Sequence, residues 1–370
     1  MAIDFPKMQR NHPKMNSELR VNMLKYSRQM VPLFLIGIYL LFTSCEKESA
    51  LVYPDKPKCA EITVITPLFG LGDHGYNDAA LAGIMDVASA SDLEVSLLRP
   101  KTLEQAGEYV RQWSNDGKSK RRLLVLPDAE YSAILADVST SATKSVLLFE
   151  NDGKDVPSDI ATFRISRYGS AYLAGCLAKG SQKAHIIQGK NGDSTCEEAM
   201  KGFIAGYSTV RPDGEIIIHS LSDTYKGWSM PDSLYRIASQ YPDDFFFPLA
   251  KGSNSGVYKF SRESPLVLML IAGMDVDCSL FSKRVPFSVV IDIRSVVKDY
   301  VSRWNAGENI SGHTDYGMKD GKASVSLSTL FYEINDIWEN YYEDPLYWQN
   351  IYDANYEEAV RKEAEYEAAH

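Results

Sequence analysis

The sequence contains few of the side chains from which metal and redox sites are built. Its 370 residues include 5 cysteines and 6 histidines. No two cysteines stand in a CxxC spacing, and the histidines are too scattered to form a zinc-binding cluster. We therefore expect no metal site and no cofactor. Beyond Cys45 the cysteines are Cys59, Cys176, Cys196 and Cys278, and the sequence leaves open which of them pair.

An excess of positive charge is also missing, because the formal net charge at pH 7 is −10. Binding to phosphate backbones requires a basic surface, so we expect no nucleic-acid partner. The chain also lacks a phosphate-binding glycine loop and a recognisable Ser/His/Asp arrangement. We therefore assign no catalytic residue and do not expect an enzyme.

The apolar run near the N-terminus is short for a membrane span. It extends for about a dozen residues, from Val31 to Phe42, as in a signal peptide. Lys25 and Arg28 precede it, and the segment ending at Cys45 resembles the lipobox of bacterial lipoproteins. We predict an N-terminal extension and signal peptide over 1–45, lipidation of Cys45 and a tether over 46–59. An uncleaved anchor helix is the alternative. Both place the remaining chain outside the cytoplasm at a bacterial membrane.

The segment GLGDHGYNDAALAGI, residues 70–84, is rich in small and polar residues. It joins a short β-branched run, which predicts a buried strand, to an apolar helical segment. Ligands of open α/β sheets bind at such strand-to-helix loops, where glycine lets the backbone approach closely. We interpret the segment as a ligand-binding loop. The alternative is a turn in which Asp73 or Asn77 only caps the helix.

Strand-like and helical segments alternate along the rest of the chain. Strands are expected at 122–127, 145–150, 160–166 and 184–189, and helices at 102–116, 129–139, 168–180, 194–210 and 293–305. Such alternation is typical of parallel sheets with right-handed crossovers. Because further strands follow, there are too many for one sheet, and the pattern predicts two α/β lobes.

Six landmarks, in order, are similar to the basic membrane protein family of substrate-binding lipoproteins, which includes purine nucleoside receptors. They are GDHGYN (72–77), FR (163–164) with AYLAG (171–175), GFIAG (202–206), GMDVD (273–277), SVVI (288–291) with Gly307, and YGMKDG (316–321). The resemblance implies a type I periplasmic-binding-protein fold, with a ligand cleft between two parallel-sheet α/β lobes. We expect this domain over 60–327, with lobe 1 at about 60–165 and 292–310 and lobe 2 at about 166–291 and 311–327.

The resemblance also implies a set of ligand contacts. In the first loop, the ring of Tyr76 would stack on a base, Asn77 would bond to the base edge, and Asp73 matches the loop carboxylate. The alternatives are a plain loop ring at Tyr76 and a helix cap at Asp73 or Asn77.

Three further contacts are implied by strands later in the chain. Glu150 stands where the family usually has aspartate, and Asp275 would accept hydrogen bonds from sugar hydroxyls. Phe247 would supply a second ring, with Phe246 as the alternate. The alternative for Phe247 is a place in the core.

Two further positions depart from the family pattern. Lys251 replaces a glycine of the cleft wall, and Ile291 replaces a lysine that reaches the sugar in relatives. The chain also continues beyond the usual end of the family, with an aromatic and acidic segment at 328–370. This segment predicts helices that pack on a lobe, with a partner-binding surface as the alternative.

The sequence therefore predicts a membrane-anchored solute-binding lipoprotein that captures a small ligand for uptake. A purine nucleoside is the first candidate ligand, and an ABC transporter permease is a further expected partner. Two other classes stay open. One is a surface lipoprotein with a structural or partner-binding role, and the other is a nucleoside or glycoside hydrolase that uses a carboxylate pair.

Overall fold

The computed structural model describes residues 60–117, 119–264, 267–329, 331 and 346–370. The predicted signal peptide, the lipidation site at Cys45 and the tether lie outside the described residues. Within them, two six-stranded sheets with flanking helices form two lobes. This confirms the α/β class and the two-lobed architecture expected from the sequence.

The first lobe is built on a fully parallel sheet. Its strands are β1 (Ala60–Ile65), β2 (Leu93–Leu98), β3 (Arg121–Leu126), β4 (Lys144–Phe149), β5 (Ala161–Ile165) and β11 (Gly312–Tyr316). The spatial order is β11-β5-β4-β3-β1-β2. The expected lobe boundary near residue 310 is wrong, because β11 pairs with β5 and so returns the chain to lobe 1.

The second lobe repeats this plan with one reversed edge. Its strands are β6 (Lys183–Lys190), β7 (Glu215–Ser222), β8 (Phe245–Leu249), β9 (Leu270–Asp275), β10 (Phe287–Ile291) and β12 (Ala323–Leu327). The spatial order is β12-β10-β9-β8-β6-β7, and β12 runs antiparallel to β10. The strands of both lobes are rich in buried aliphatic and aromatic residues, as expected for sheets covered on both faces.

Helices cover the faces of the two sheets. They are α1 (Tyr76–Ala90), α2 (Leu103–Asn115), α3 (Tyr168–Leu177), α4 (Ser194–Val210), α5 (Pro231–Gln240), α6 (Ser255–Glu263), α7 (Ile293–Asn305) and α8 (Tyr347–Ala369). The helix expected at 129–139 is a short 3-10 helix, Ala129–Ile134. The other helices named above from the sequence lie within two or three residues of their expected bounds.

Helices α3 and α4 pack closely because both carry small residues. A Cβ atom on Gly206 would overlap the carbonyl oxygen of Tyr172, and one on Gly175 would overlap that of Phe203. These two glycines belong to the GFIAG and AYLAG landmarks. Their place in the sequence is therefore explained by helix packing rather than by ligand contact.

Two buried carboxylates accept hydrogen bonds from the free backbone N–H groups at the N-terminus of α3, where the chain first crosses between lobes. Glu198 accepts hydrogen bonds from the backbone N–H groups of Arg167 and Tyr168, at 2.7 and 3.2 Å. Glu363 accepts one from Gly169 at 3.1 Å and another from Met318 at 2.7 Å. Negative charge is favourable at a helix N-terminus, which supplies free N–H donors.

Glu363 belongs to α8, so the C-terminal segment packs on the binding domain. Its helix contacts α3, and the ring of Tyr366 stacks on that of Tyr168 with centroids 4.3 Å apart. Met318 lies in the last crossover, between β11 and β12. The carboxylate of Glu363 therefore joins two of the segments that connect the lobes. Of the two alternatives for the tail, this part of it fits packing on the domain.

Three cysteines fall in the described part of the chain: Cys176, Cys196 and Cys278 are free and buried. The described helices include none with the length and hydrophobicity needed to cross a bilayer. The described residues also contain no group of three or more His, Cys, Asp or Glu side chains that could hold a metal ion.

Candidate functional site

The candidate site is a cleft where the carboxyl ends of strands from both sheets face each other. A first chamber of about 140 Å³ lies against the residues that follow β3, β4, β6 and β8. A second chamber of about 310 Å³ lies between the loop before α1 and the start of α6. Lys251, Met274 and Asp275 line both chambers and form the wall between them.

Tyr76, Glu150 and Arg167 form one buried cluster on the first chamber. The Glu150 carboxylate accepts two hydrogen bonds from the Arg167 guanidinium, at 2.9 and 3.1 Å. It also accepts one from the Tyr76 hydroxyl at 2.5 Å and one from the backbone N–H of Ile165. The Arg167 guanidinium lies over the Tyr76 ring, 5.3 Å from its centroid.

This cluster fixes the orientation of the Tyr76 ring. Burial and the neighbouring Glu150 carboxylate raise the pKa of Tyr76, so its hydroxyl stays protonated and donates. Arg167 is 5% exposed, and its charge is compensated by the bidentate contact with Glu150. Glu150 thus acts mainly as a support for Arg167 and Tyr76.

Asp73 and Asn77 organise the start of α1. The Asp73 carboxylate accepts hydrogen bonds from the backbone N–H groups of Gly75, Asn77 and Asp78 and from the Asn77 side-chain amide. Asp73 also lines the second chamber. Asn77 is 2% exposed and lines neither chamber. Its expected contact with a base edge is corrected, because the amide is turned toward Asp73.

Asp275 lies at the centre of the cleft, on the wall between the chambers. It is 8% exposed, and within the described part of the chain no group donates a hydrogen bond to its carboxylate. Burial raises the pKa of Asp275 to about 6, although the Arg167 guanidinium opposes this effect. A buried carboxylate with unused acceptor capacity is suited to ligand hydroxyl or N–H donors.

Lys251 reaches into the same region from the end of β8. Its Nζ lies 4.6 Å from the ring centroid of Phe69 and 4.6 Å from that of Trp228. The two rings are 6.0 Å apart and tilted by 53°. Phe69 belongs to lobe 1 and Trp228 to lobe 2, so the ammonium sits in an aromatic pair that spans the lobes.

Two further aspartates face the first chamber. Asp128 follows β3 and Asp193 caps α4 by accepting from the Cys196 backbone N–H. Burial raises the pKa of Asp128. Burial acts in the same direction on Asp193, but the Lys251 ammonium and local hydrogen bonds outweigh it and lower the pKa of Asp193. Lys190 of lobe 2 pairs with Glu130 of lobe 1 across this chamber.

Phe247 does not contact the cleft. It is fully buried and stacks on Phe203 with centroids 4.5 Å apart, and Phe246 is equally buried against His185. Both faces of β8 are covered, so its aromatic residues all point into the core. The expectation that Phe247 supplies the second ring is therefore corrected. Ile291, at the position of the family lysine, is likewise a core residue, 2% exposed.

Strained backbone is concentrated at the cleft. Non-glycine residues with positive φ in the described chain are His74 (51°), Glu150 (55°), Lys251 (48°) and Asp275 (71°). All four line one or both chambers. Such conformations cost about 1–3 kcal/mol each and cluster where a fold positions functional groups.

Sequence reasoning missed several cleft residues. Asp128 and Asp193 follow strand ends, a signal that could have found them. Trp228 lies in a 3-10 turn, Tyr225–Ser229, and Arg167 lies in a crossover. Neither position carries a periodic pattern, so only the fold brings Arg167 to the first chamber and Trp228 to the side chain of Lys251.

Comparisons with known proteins agree with this architecture. A family model described as "Bmp: ABC transporter substrate-binding protein PnrA-like" matches residues 63–350. A CD4+ T-cell-stimulating antigen of Listeria monocytogenes is 22% identical over 290 residues, which cover 72% of this chain and 79% of that protein.

Solved structures share the fold at low sequence identity. An ABC transporter solute-binding protein of Aeropyrum pernix superposes with a TM-score of 0.65 at 16% identity, covering 83% of this chain and 90% of the other. One from Conexibacter woesei gives a TM-score of 0.57 at 12% identity, covering 82% and 97%.

Proposed function

The chain belongs to the Bmp family of PnrA-like ABC transporter substrate-binding proteins, and we propose that it captures a compact ligand rich in hydroxyl donors between its lobes. A purine nucleoside is the first candidate. The observation that carries this proposal is the convergence of Glu150, Lys251 and Asp275, all in strained backbone, from three strand ends and both lobes. A fold that maintains this strain in one cleft favours a binding role there.

The charge of the first chamber favours hydroxyl or amino donors over anions. It is lined by five carboxylates and three cationic side chains. Glu130 pairs with Lys190, and Glu150 pairs with Arg167. Three aspartates then face one lysine: Asp128, Asp193, Asp275 and Lys251. A phosphorylated ligand would add to this excess of negative charge, whereas vicinal hydroxyls would donate hydrogen bonds to the aspartate carboxylates.

Tyr76 gives the cleft one oriented aromatic ring. Because its hydroxyl is held by Glu150, the ring is fixed before a ligand arrives. A preorganised ring loses little entropy on binding, and base–aromatic stacking contributes about 1–3 kcal/mol. This supports a ligand that carries a flat ring as well as hydroxyls.

The engagement of Glu150 favours binding over hydrolysis. Glycoside hydrolysis requires one carboxylic acid and one carboxylate that are both available to the substrate. Glu150 is occupied by Arg167 and Tyr76, and Asp73 by backbone N–H groups at the start of α1. Of the three carboxylates considered from the sequence, Asp73, Glu150 and Asp275, only Asp275 is then available to a substrate. These three residues therefore do not supply the carboxylate pair that hydrolysis requires.

The proposal extends to the cellular setting. Family membership implies a small-molecule ligand and a transporter partner, so we place the protein outside the cytoplasm, where it would deliver its ligand to an ABC transporter permease. Lipidation at Cys45 would hold it at the membrane. Family membership and the signal-peptide pattern support this placement.

A ligand screen tests the proposal. Thermal shift and calorimetry would be run with adenosine, guanosine, inosine, their free bases and ribose. We expect at least one nucleoside to raise the melting temperature and to give a dissociation constant below about 100 micromolar, the affinity expected of a useful capture protein. Absence of binding by all three nucleosides would overturn the nucleoside assignment. Chromatography of the mixtures should show intact nucleoside, and release of free base would instead establish a hydrolase.

A further inference from the structure

Lys251 carries a cation into the wall between the two chambers of the cleft. Its Nζ is equidistant from Phe69 and Trp228, at 4.6 Å from each ring centroid. No hydrogen bond or ion pair within 4 Å holds this ammonium within the described part of the chain. The contacts that position the ammonium are therefore the two cation–π contacts with Phe69 and Trp228.

The backbone at Lys251 has the geometry of a glycine position. Its φ of 48° lies in the left-handed region, which a lysine adopts at a cost and a glycine without one. The lysine lies two residues after the end of β8, at the first residue of the 3-10 helix Lys251–Asn254. A glycine here would leave the strand end and the turn unchanged while removing the side chain from the cleft.

The same side chain divides the cleft. Lys251 belongs to the wall that the first and second chambers share, together with Met274 and Asp275. The first chamber, at about 140 Å³, is smaller than the about 300–1,000 Å³ of sites for drug-sized ligands, and the second, at about 310 Å³, lies at the lower end of that range. Removing the lysine would take one of the three side chains from this wall and would uncover the Phe69 and Trp228 rings that its ammonium contacts.

The ammonium also stays charged in this position. Burial opposes its charge, but the carboxylates of Asp193 and Asp128 outweigh burial and raise the pKa of Lys251. A neutral ring that enters the aromatic pair must therefore displace a charged group from two rings and from nearby carboxylates.

We propose that Lys251 is a specificity-determining residue that closes the Phe69–Trp228 pair to flat rings and so weakens nucleoside binding relative to binding of a free sugar. This inference rests on the proposed function, because it concerns how ring and hydroxyl groups share the same cleft. Lys251 would exclude flat rings, and Asp275 and its neighbouring aspartates would bind the ligand hydroxyls.

The test compares Lys251→Gly with the wild-type protein by calorimetry, using adenosine, inosine and ribose. We expect the glycine variant to bind the nucleosides at least tenfold more tightly and ribose with less than a threefold change. Lys251→Met, which keeps the length of the side chain without its charge, should give an intermediate gain. Lys259→Met is the matched control, because Lys259 is an exposed lysine over the Tyr235 ring at 5.6 Å.

A second variant tests whether the gain comes from the aromatic pair. Adding Trp228→Leu to Lys251→Gly should remove most of the gained nucleoside affinity. Near-UV circular dichroism and the melting temperature would establish that both variants are folded.

The outcomes separate this inference from the proposed function. Equal nucleoside affinity in the wild-type protein and Lys251→Gly would overturn the role of Lys251 and leave nucleoside capture intact. Nucleoside binding by Lys251→Gly alone would support that role and show that the natural ligand is not a nucleoside. If neither protein binds a nucleoside, the role of Lys251 is overturned, and the ribose titration decides on hydroxyl capture.

Discussion

The Glu150 carboxylate and the Arg167 guanidinium meet through two hydrogen bonds, at 2.9 and 3.1 Å, where the chain leaves lobe 1 for lobe 2. Glu150 follows β4 of the first lobe, and Arg167 immediately precedes α3 of the second. Their side chains are 7% and 6% exposed. The contact therefore fixes both the Tyr76 ring and the first crossover.

Glu150→Gln should destabilise the protein strongly. The amide cannot balance the buried charge of Arg167, and removing one partner of a buried pair costs about 3–5 kcal/mol. Urea unfolding followed by circular dichroism would measure the change. Asp152→Asn is the control, because its ion pair with Lys154 is exposed and should contribute less than about 1 kcal/mol. A loss for Glu150→Gln no larger than that of the control would contradict this account.

Glu363 should make stability depend on pH. Burial raises the pKa of its carboxyl to about 7 from 4.5, so the folded state keeps a proton that the unfolded state releases. The contribution of this group to the free energy of unfolding should fall as the pH rises from 4.5 through 7, by about 3 kcal/mol in total. Denaturant titrations of the wild-type protein and Glu363→Gln at several pH values would isolate this contribution.

The difference in unfolding free energy between the wild-type protein and Glu363→Gln should therefore change with pH within that window. Glu357→Gln is the matched control, because Glu357 lies exposed on the same helix. A pH-independent difference between the wild-type protein and Glu363→Gln would show that the carboxyl keeps its ordinary pKa.

Tyr76 should contribute to binding through its ring. Tyr76→Ala should weaken nucleoside binding by about 1–3 kcal/mol, which corresponds to about ten- to a hundredfold or slightly more. Tyr76→Phe keeps the ring and loses only the hydrogen bond to Glu150, so its affinity should stay within about threefold of the wild-type value. Equal losses in both variants would assign the effect to the hydroxyl instead.

Cys45 should be the site of lipid attachment. We expect Cys45→Ala to lack lipid and to leave the membrane fraction, because a cysteine is required for the modification. Mass spectrometry and fractionation of bacterial cells would measure both properties, with Ser44→Ala as a control that retains the cysteine. Persistence of lipid and membrane association in Cys45→Ala would show that the predicted lipobox is wrong.

The fold could be predicted from sequence because its signals are local. β-Branched runs, small-residue helices and their alternation predicted two α/β lobes with parallel sheets, and the structure confirms two lobes whose sheets are parallel except at β12. The lobe boundary near 310 was wrong because β11 is an exposed edge strand, GHTDY, without a hydrophobic pattern. Its place depends on pairing with β5, which sequence periodicity does not report.

The site was less predictable because its members meet only in the folded chain. The family resemblance implied Tyr76, Glu150 and Asp275, which the structure places at the start of α1, directly after β4 and at the end of β9. The resemblance also implied Phe247, but this residue lies within β8, and both faces of that strand are covered by the core. Trp228 contacts Lys251 from a turn, and only the three-dimensional structure shows this contact.

We propose that Asp275 receives ligand hydroxyls in the cleft, and the pH dependence of ligand binding tests this role. Burial raises the pKa of Asp275 to about 6, so its carboxylate is ionised at pH 7.5 and mostly protonated at pH 5. A ligand that donates hydrogen bonds prefers the ionised form. Affinity should therefore fall as the pH drops through 6, by up to about tenfold for each pH unit.

The measurement is calorimetry of the tightest-binding nucleoside, or of ribose, at pH 7.5 and pH 5. It would use the wild-type protein, Asp275→Asn, and the exposed neighbour variant Asp277→Asn as control. We expect weaker binding at pH 5 than at pH 7.5 for the wild-type protein and Asp277→Asn, and weak, pH-independent binding for Asp275→Asn. Wild-type affinity in Asp275→Asn, with the same pH dependence, would contradict it.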